Sequence, residues 1–406
     1  MLNKKLNLLI PISFALTTLS AEVNAGLYTS GTSLETLTVF SNTYTTTGDA
    51  AIVYGSMMVG DVATTGANAD VTGNIDSVNA ANIGGGTSTV GVNSATVGGN
   101  VTSGGVMTVG GATGGVSPGP IVSGNITSSG ASTIGAYAQV LGNMLSAGAA
   151  TTGANSFVGG GVQATGAVSQ GATSTVVGSV NSLMPSAVSG TLNAGLETKR
   201  VTAANEVAAI RATLTSLGAG TVLAATMTVD TTLNAGIYSA PSLSTTASTT
   251  LFLDAQGNND AEWIFNIDDI LAIGAYHVIE IINEGTLNNS SIVWNIGGGA
   301  TPDGGYASIG GEARFKGSIF AEDYVSVGAG AWVTSGNTNT CSGIYSETSY
   351  VSTGADAVIG EKGCVSSKKN NSPDQVHVSE PFGLLLSGLA ALGFVTRRKT
   401  RATRAS

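Results

Sequence analysis

Asp254, Asp260, Glu262, Asp268 and Asp269 form the densest group of carboxylates in the chain. Such a group can hold calcium, or supply an acid and a base for cleaving a sugar. Their spacing matches neither an EF-hand loop nor the calcium-binding nonapeptide repeat, and solvated turn charges are the plainer reading. The two histidines are His277, in a strand-like stretch, and His377, in a polar stretch. With Cys341 and Cys364 they make no cluster at metal-ligand spacing. There is no nucleophile elbow with a partner histidine, and no glycine-rich loop ending in Lys and Ser or Thr to cradle phosphate. No catalytic residue, metal or cofactor is assigned, and the expectation is a protein that is not an enzyme.

The composition points to a surface rather than a catalyst. The chain has 406 residues, 58 of them Gly, and only 10% are charged. Small and β-branched residues with frequent Gly suit many short strands joined by tight corners. A disordered acidic tail would carry more charge and less Val and Ile.

Both ends read as processing signals. Lys4 and Lys5 precede an apolar run, and Val23-Asn24-Ala25 closes it, so signal peptidase is expected to cut between Ala25 and Gly26. At the other end Ser379-Glu380-Pro381 precedes an apolar run over 382–395, followed by Arg397, Arg398, Lys399, Arg401 and Arg404. That order resembles the PEP-CTERM sorting signal of Gram-negative bacteria, with Ser379 in place of the usual first proline. The resemblance implies transient membrane association through 382–395, cleavage by an exosortase, and a secreted or cell-surface product. A plain membrane anchor with a positive inner tail is the alternative. Removing both ends takes seven of the 15 Lys and Arg and two of the 25 Asp and Glu, leaving a chain near −15. A nucleic-acid partner is thereby excluded, because phosphate binding needs a cationic surface. In an exported chain the two cysteines read most simply as one disulfide, Cys341 with Cys364, worth roughly 3 kcal/mol; two free thiols are the alternative.

The elements between these ends are mostly strands. A Gly-Asn or Gly-Asp unit followed by Val, Ile or Met recurs at Gly60, Gly73, Gly99, Gly124 and Gly142, with a weaker copy at Gly178. The steps are 13, 26, 25, 18 and 36 residues, which suggests stacked coils of a parallel β-helix. A disordered Gly/Ser/Thr stalk is the alternative. Ala203, Val207, Ile210, Leu214 and Leu217 step by 4, 3, 4 and 3, which predicts one amphipathic helix over 196–217, stopped by Gly218 and Gly220. Its apolar stripe must pack on the solenoid flank or cap an end. Residues 251–267 hold two period-2 apolar runs around Gln256-Gly257-Asn258-Asn259-Asp260, read as successive coil strands whose Leu, Trp and Phe fill the interior.

That last stretch closely resembles the signature of the ice-binding-protein-like family of microbial β-solenoids: a strand reading Leu251-Phe252-Leu253-Asp254-Ala255-Gln256-Gly257, then an aromatic-rich one. Leu233 to Ser239, Ser291 to Gly298, Phe315 to Ala321 and Val325 to Ala331 resemble further family strands in the family's order, and Gly115-Val116-Ser117-Pro118-Gly119 resembles its early corner. The resemblance implies a right-handed parallel β-helix with one long α-helix alongside, here extended at the N-terminal side. The resulting division is 1–25 signal, 26–190 Gly/Thr-rich coils, 191–364 helix and family-like coils, 365–378 linker, and 379–406 sorting signal. It also implies a flat face of Thr, Ser, Asn and Ala that holds ordered water and merges it with ice. A Thr-(Ala/Gly)-x-(Thr/Asn) pattern selects Thr65, Asn68, Thr152 and Asn155 as candidate ice-contacting residues. The second expectation kept beside this one is a surface or matrix protein associated with exopolysaccharide.

Overall fold

A computed structural model of the chain describes residues 34–84, 95–112, 119–182, 187–286, 289–298, 304–335 and 341–362. The signal segment, the sorting segment, His377 and Cys364 lie outside these residues, as does most of the 115–119 corner. Cys341 is not a free thiol.

The described chain is a three-faced parallel β-solenoid with a helix along one face. Short strands of two to six residues stack into one face of 14 strands and two of 13. Val, Ile, Ala and Met at alternate strand positions point inward and stack into a continuous interior. The described residues of the N-terminal Gly/Thr-rich region form coils too. Register partners on the 14-stranded face run Met57, Ile75, Val101, Ile126, Met144, Val162 and Val180, steps of 18, 26, 25, 18, 18 and 18. The unit is therefore 18 residues, and the two longer steps are those that contain 85–94 and 113–118.

The Gly-Asn repeat has a physical cause. At one corner the Oδ1 atoms of Asn74, Asn100, Asn125 and Asn143 each accept the backbone N–H of the next coil, at 2.8–2.9 Å. A Cβ on Gly99 or Gly124 would come within 2.3–2.5 Å of the Asn below, so Gly must precede the Asn. Gly60 belongs to the following corner, against Asn42, which explains the anomalous 13-residue step.

The coils are not stacked in chain order. On the 14-stranded face the sequence starts in the middle at Leu37–Ser41 and builds outward to Val180–Asn181. It re-enters at the opposite end with Thr221–Val222 and builds back until Ile344–Ser346 pairs with Leu37–Ser41. The helix Ala187–Ser216 makes the return; its 30 residues span about 45 Å. Its start is nine residues earlier than the periodicity predicts, because the added turns carry Gly190 and Gly195 with no side chains near them and no apolar stripe.

Packing along the helix follows from matched spacing. The helix rises about 1.5 Å per residue and strands lie about 4.8 Å apart, so steps of three or four residues meet successive coils. Ala203, Val207 and Leu214 are buried against Met58, Phe40, Tyr345, Phe320, Val293 and Ile264, all projecting outward from that face. Lys199 reaches Asp76 at 2.9 Å, and Arg211 bridges Glu322 (3.2 Å) and Glu347 across two coils. At the helix end the buried Asn266 side chain donates to the Leu214 carbonyl at 3.1 Å, and Asn295 donates to Asn266 at 2.8 Å. The first bond gives a last-turn carbonyl, which also accepts the Leu217 N–H at 3.2 Å, a second donor, and the second bond holds the Asn266 side chain in place.

Leu251, Leu253, Trp263, Phe265 and Ile267 are buried inside, on two successive faces of one coil as expected. Phe265 and Trp294 stack at 3.9 Å between ring centres, with Tyr238 and Phe315 beyond them at 5.4 and 5.0 Å.

Candidate functional site

Two of the five clustered carboxylates hold turns and neighbouring coils together. Asp254 accepts from the Gln256 N–H and the Asn283 side chain, both at 2.9 Å, and Asp260 accepts from Asn289 at 3.2 Å. Among the described residues no group of three His, Cys, Asp or Glu could hold a metal ion. His277 is buried in the interior, its Nδ1 bonded to Thr249 Oγ1 at 2.9 Å and its Nε2 without a hydrogen-bond partner. Burial pushes its imidazole down to about 4, opposed in part by the charge of Asp230. The neutral ring is therefore the form the fold favours. Its contribution is complete above the unfolded value near 6.5 and is lost as pH falls toward 4, by up to roughly 3 kcal/mol. Denaturant midpoints at pH 7 and pH 4 test this: the loss is expected to shrink in His277→Leu.

What remains is surface, and the three faces differ. The helix covers much of the 14-stranded face. On one 13-stranded face the outward positions are mixed, with Phe157, Ile121, Asp70, Trp332 and Arg314 in register and Arg314 lying 4.3 Å over the Trp332 ring. The other 13-stranded face is uniform. Its outward central positions form one unbroken register: Ser169, Thr151, Thr133, Thr108, Asn82, Thr64, Thr46, Ser352, Ser326, Ser308, Ala272, Ser244 and Thr226. Eleven of these thirteen carry a hydroxyl and none carries a charge. All are exposed or half-buried. At about 4.8 Å per strand the row is roughly 58 Å long.

A second outward row lies beside it. It holds Val62 and Ala80 in the N-terminal coils and Ile270 next to Tyr306 in the C-terminal ones. Where the two halves of the stack meet it becomes a ladder of stacked rings, Tyr44, Tyr350, Tyr324 and Tyr306, with centres 4.5–4.9 Å apart. Burial and the neighbouring Tyr306 push the Tyr324 phenol up to about 12, so it stays neutral.

The residues selected from the sequence are not on this row. Thr65 and Thr152 are buried, at 1% and 2% exposure, with side chains turned inward. Thr65 Oγ1 accepts the Gly84 N–H at 2.9 Å. Asn68 and Asn155 sit in the corner beyond the strand. Asn68 donates to Asp49 at 2.8 Å, and Asn155 is exposed with φ of 55° and accepts from Thr173. In Ala-Thr-Thr-Gly-Ala-Asn the first Thr, Thr64 or Thr151, faces out and the second, Thr65 or Thr152, faces in. The glycine that follows is the usable signal. A Cβ on Gly66 would lie 2.2 Å from the Gly48 carbonyl oxygen, so this position must be the tight corner and the residue before it the last inward one.

Comparison with known proteins gives one family. A family described as Ice-binding-like matches residues 144–358, just over half of the chain. No curated protein matches. Among solved structures, a glycosylated ice-binding protein from an Arctic yeast is similar at 16% identity and a TM-score of 0.39, covering 84% of this chain and 94% of its own. An ice-binding protein from the Antarctic ascomycete Antarctomyces psychrotrophicus is similar at 12% identity and a TM-score of 0.38, covering 80% and 94%. A third, from an Antarctic biological consortium, is at 13% and 0.33, covering 81% and 89%.

Proposed function

This chain belongs to the ice-binding-like family, and from that premise we propose that it binds ice through the row running from Ser169 to Thr226. The observation that carries the reading is the row's unbroken register over 13 strands, with hydroxyls at a repeat of about 4.8 Å. That repeat lies close to the short lattice repeat of hexagonal ice, so waters held on successive hydroxyls are already spaced for a crystal face. Threonine suits the task because its branched side chain has few rotamers on a strand, which lowers the entropy lost on contact. The row is free of charge, and charges would orient water around themselves instead. Fluorescently labelled chain is expected to be taken up by a slowly growing ice hemisphere; rejection into the liquid, as for an ordinary soluble protein, would refute the reading.

Export and surface display belong to the same proposal. Residues 1–25 would be removed by signal peptidase, and Ser379-Glu380-Pro381 with the basic tail would deliver the chain to an exosortase at the surface of a Gram-negative cell. Cys341 would pair with Cys364 in that oxidising compartment. The same tail favours the second reading, a surface or matrix protein associated with exopolysaccharide, in which the solenoid faces contact polysaccharide.

A further inference from the structure

We propose that this solenoid joins head to tail with a second copy of itself, so that copies extend into one continuing coil. Among the described residues no strand covers either end of the stack. At one end the outermost strands are Val168–Gln170, Thr175–Val176 and Val180–Asn181; at the other they are Thr221–Val222, Thr226–Met227 and Thr231–Asn234. Among the described residues each of these six strands is paired on one side only.

The interior also runs out to both ends. Four hydrophobic residues pack on the main core while only partly buried: Val168 and Val176 at one end, Leu223 and Leu233 at the other. Val177, Val180, Val222 and Val229 stand 66%, 43%, 70% and 68% exposed beside them. Among the described residues the helix packs along the 14-stranded face, from the strand of Asp76 to that of Ile264, and all of these strands lie inside the stack.

Soluble proteins commonly guard such edges with Lys, Pro or a bulge. Here 168–182 holds no charged residue and no proline. The opposite end strand, 221–234, holds one charge, Asp230, whose carboxylate turns back to accept the Thr250 N–H at 2.8 Å.

The geometry selects the occupant. Every strand pair in the stack is parallel, so the chain circulates in one sense on all three faces. Turning a copy over to join like ends reverses that circulation and sets the meeting strands antiparallel around the ring. Shifting a copy along the axis keeps it, and three open edges then meet three open edges of the same triangular outline. The contact is heterologous and does not close, so it propagates. Ser169 of one copy would come into line with Thr226 of the next, and the hydroxyl row would run on across the joint.

Sedimentation velocity of the full chain tests this with Val180→Lys and Val222→Lys, each placing a charge on one end at an exposed position. Wild type is expected to gain mass with concentration. Each variant alone is expected to stay monomeric, while their equimolar mixture forms dimers and nothing larger, because it contains one pair of unaltered ends. Far-UV circular dichroism matching wild type keeps the reading on association. Three results would overturn the proposal: wild type monomeric throughout, either variant associating as wild type does, or a variant dimerising alone through its unaltered end. Since the assay involves no ice, its failure leaves the ice-binding reading untouched.

Discussion

Thr133→Tyr is expected to cut inhibition of ice recrystallisation by about tenfold or more, with the fold intact, because residues central to a contact carry most of its energy. Thr133 is exposed within the hydroxyl row, with Thr108 and Thr151 in register on either side. A tyrosine there lifts any flat crystal face off its neighbours along the row. The matched control is Gln139→Tyr on the mixed face, between Ile121 and Phe157 in register, which is expected to change activity little. Equal losses from both variants would mean that the row is not the contact.

Trp294→Ala is expected to cost about 3–5 kcal/mol, the range for emptying a large aromatic site in a core. Trp294 is fully buried, stacked on Phe265 at 3.9 Å, and its indole N–H donates to the Lys316 carbonyl at 2.9 Å. The alanine loses the ring contacts and leaves that carbonyl short of its donor. Trp332, on the mixed face at 44% exposure, provides the comparison: Trp332→Ala is expected to cost less than about 1 kcal/mol. Guanidinium melts of the two variants check the contrast, and similar midpoints would place Trp294 outside the core.

Much of this fold was legible because its signals are local. The inward set Leu251, Leu253, Trp263, Phe265 and Ile267 follows from alternation alone, and the stripe Ala203, Val207 and Leu214 follows from helical spacing. Ile264 and Asn266 read as the outer face of their strand and are buried all the same, because the helix lies over them. That cover is tertiary and leaves no trace in period-2 patterning.

The hydroxyl-rich character of the outward row was legible in the sequence, and its register was not. Two adjacent threonines fit the same composition, yet in a strand neighbours point to opposite faces, so a slip of one position exchanges Thr64 for Thr65 and surface for core. The order of the coils was not legible at all. Tyr44 stacks on Tyr350, and Val39 pairs with Ile344, between segments at opposite ends of the described sequence. Each segment reads as an ordinary coil, and only the returning helix brings the last coil onto the first.

Growth of a single ice crystal in a solution of the wild-type chain tests the central claim most directly. The account predicts faceted crystals and a gap between melting and growth temperatures, closed by Thr133→Tyr. Round crystals that grow freely as soon as the wild-type solution is cooled below its melting point would contradict it.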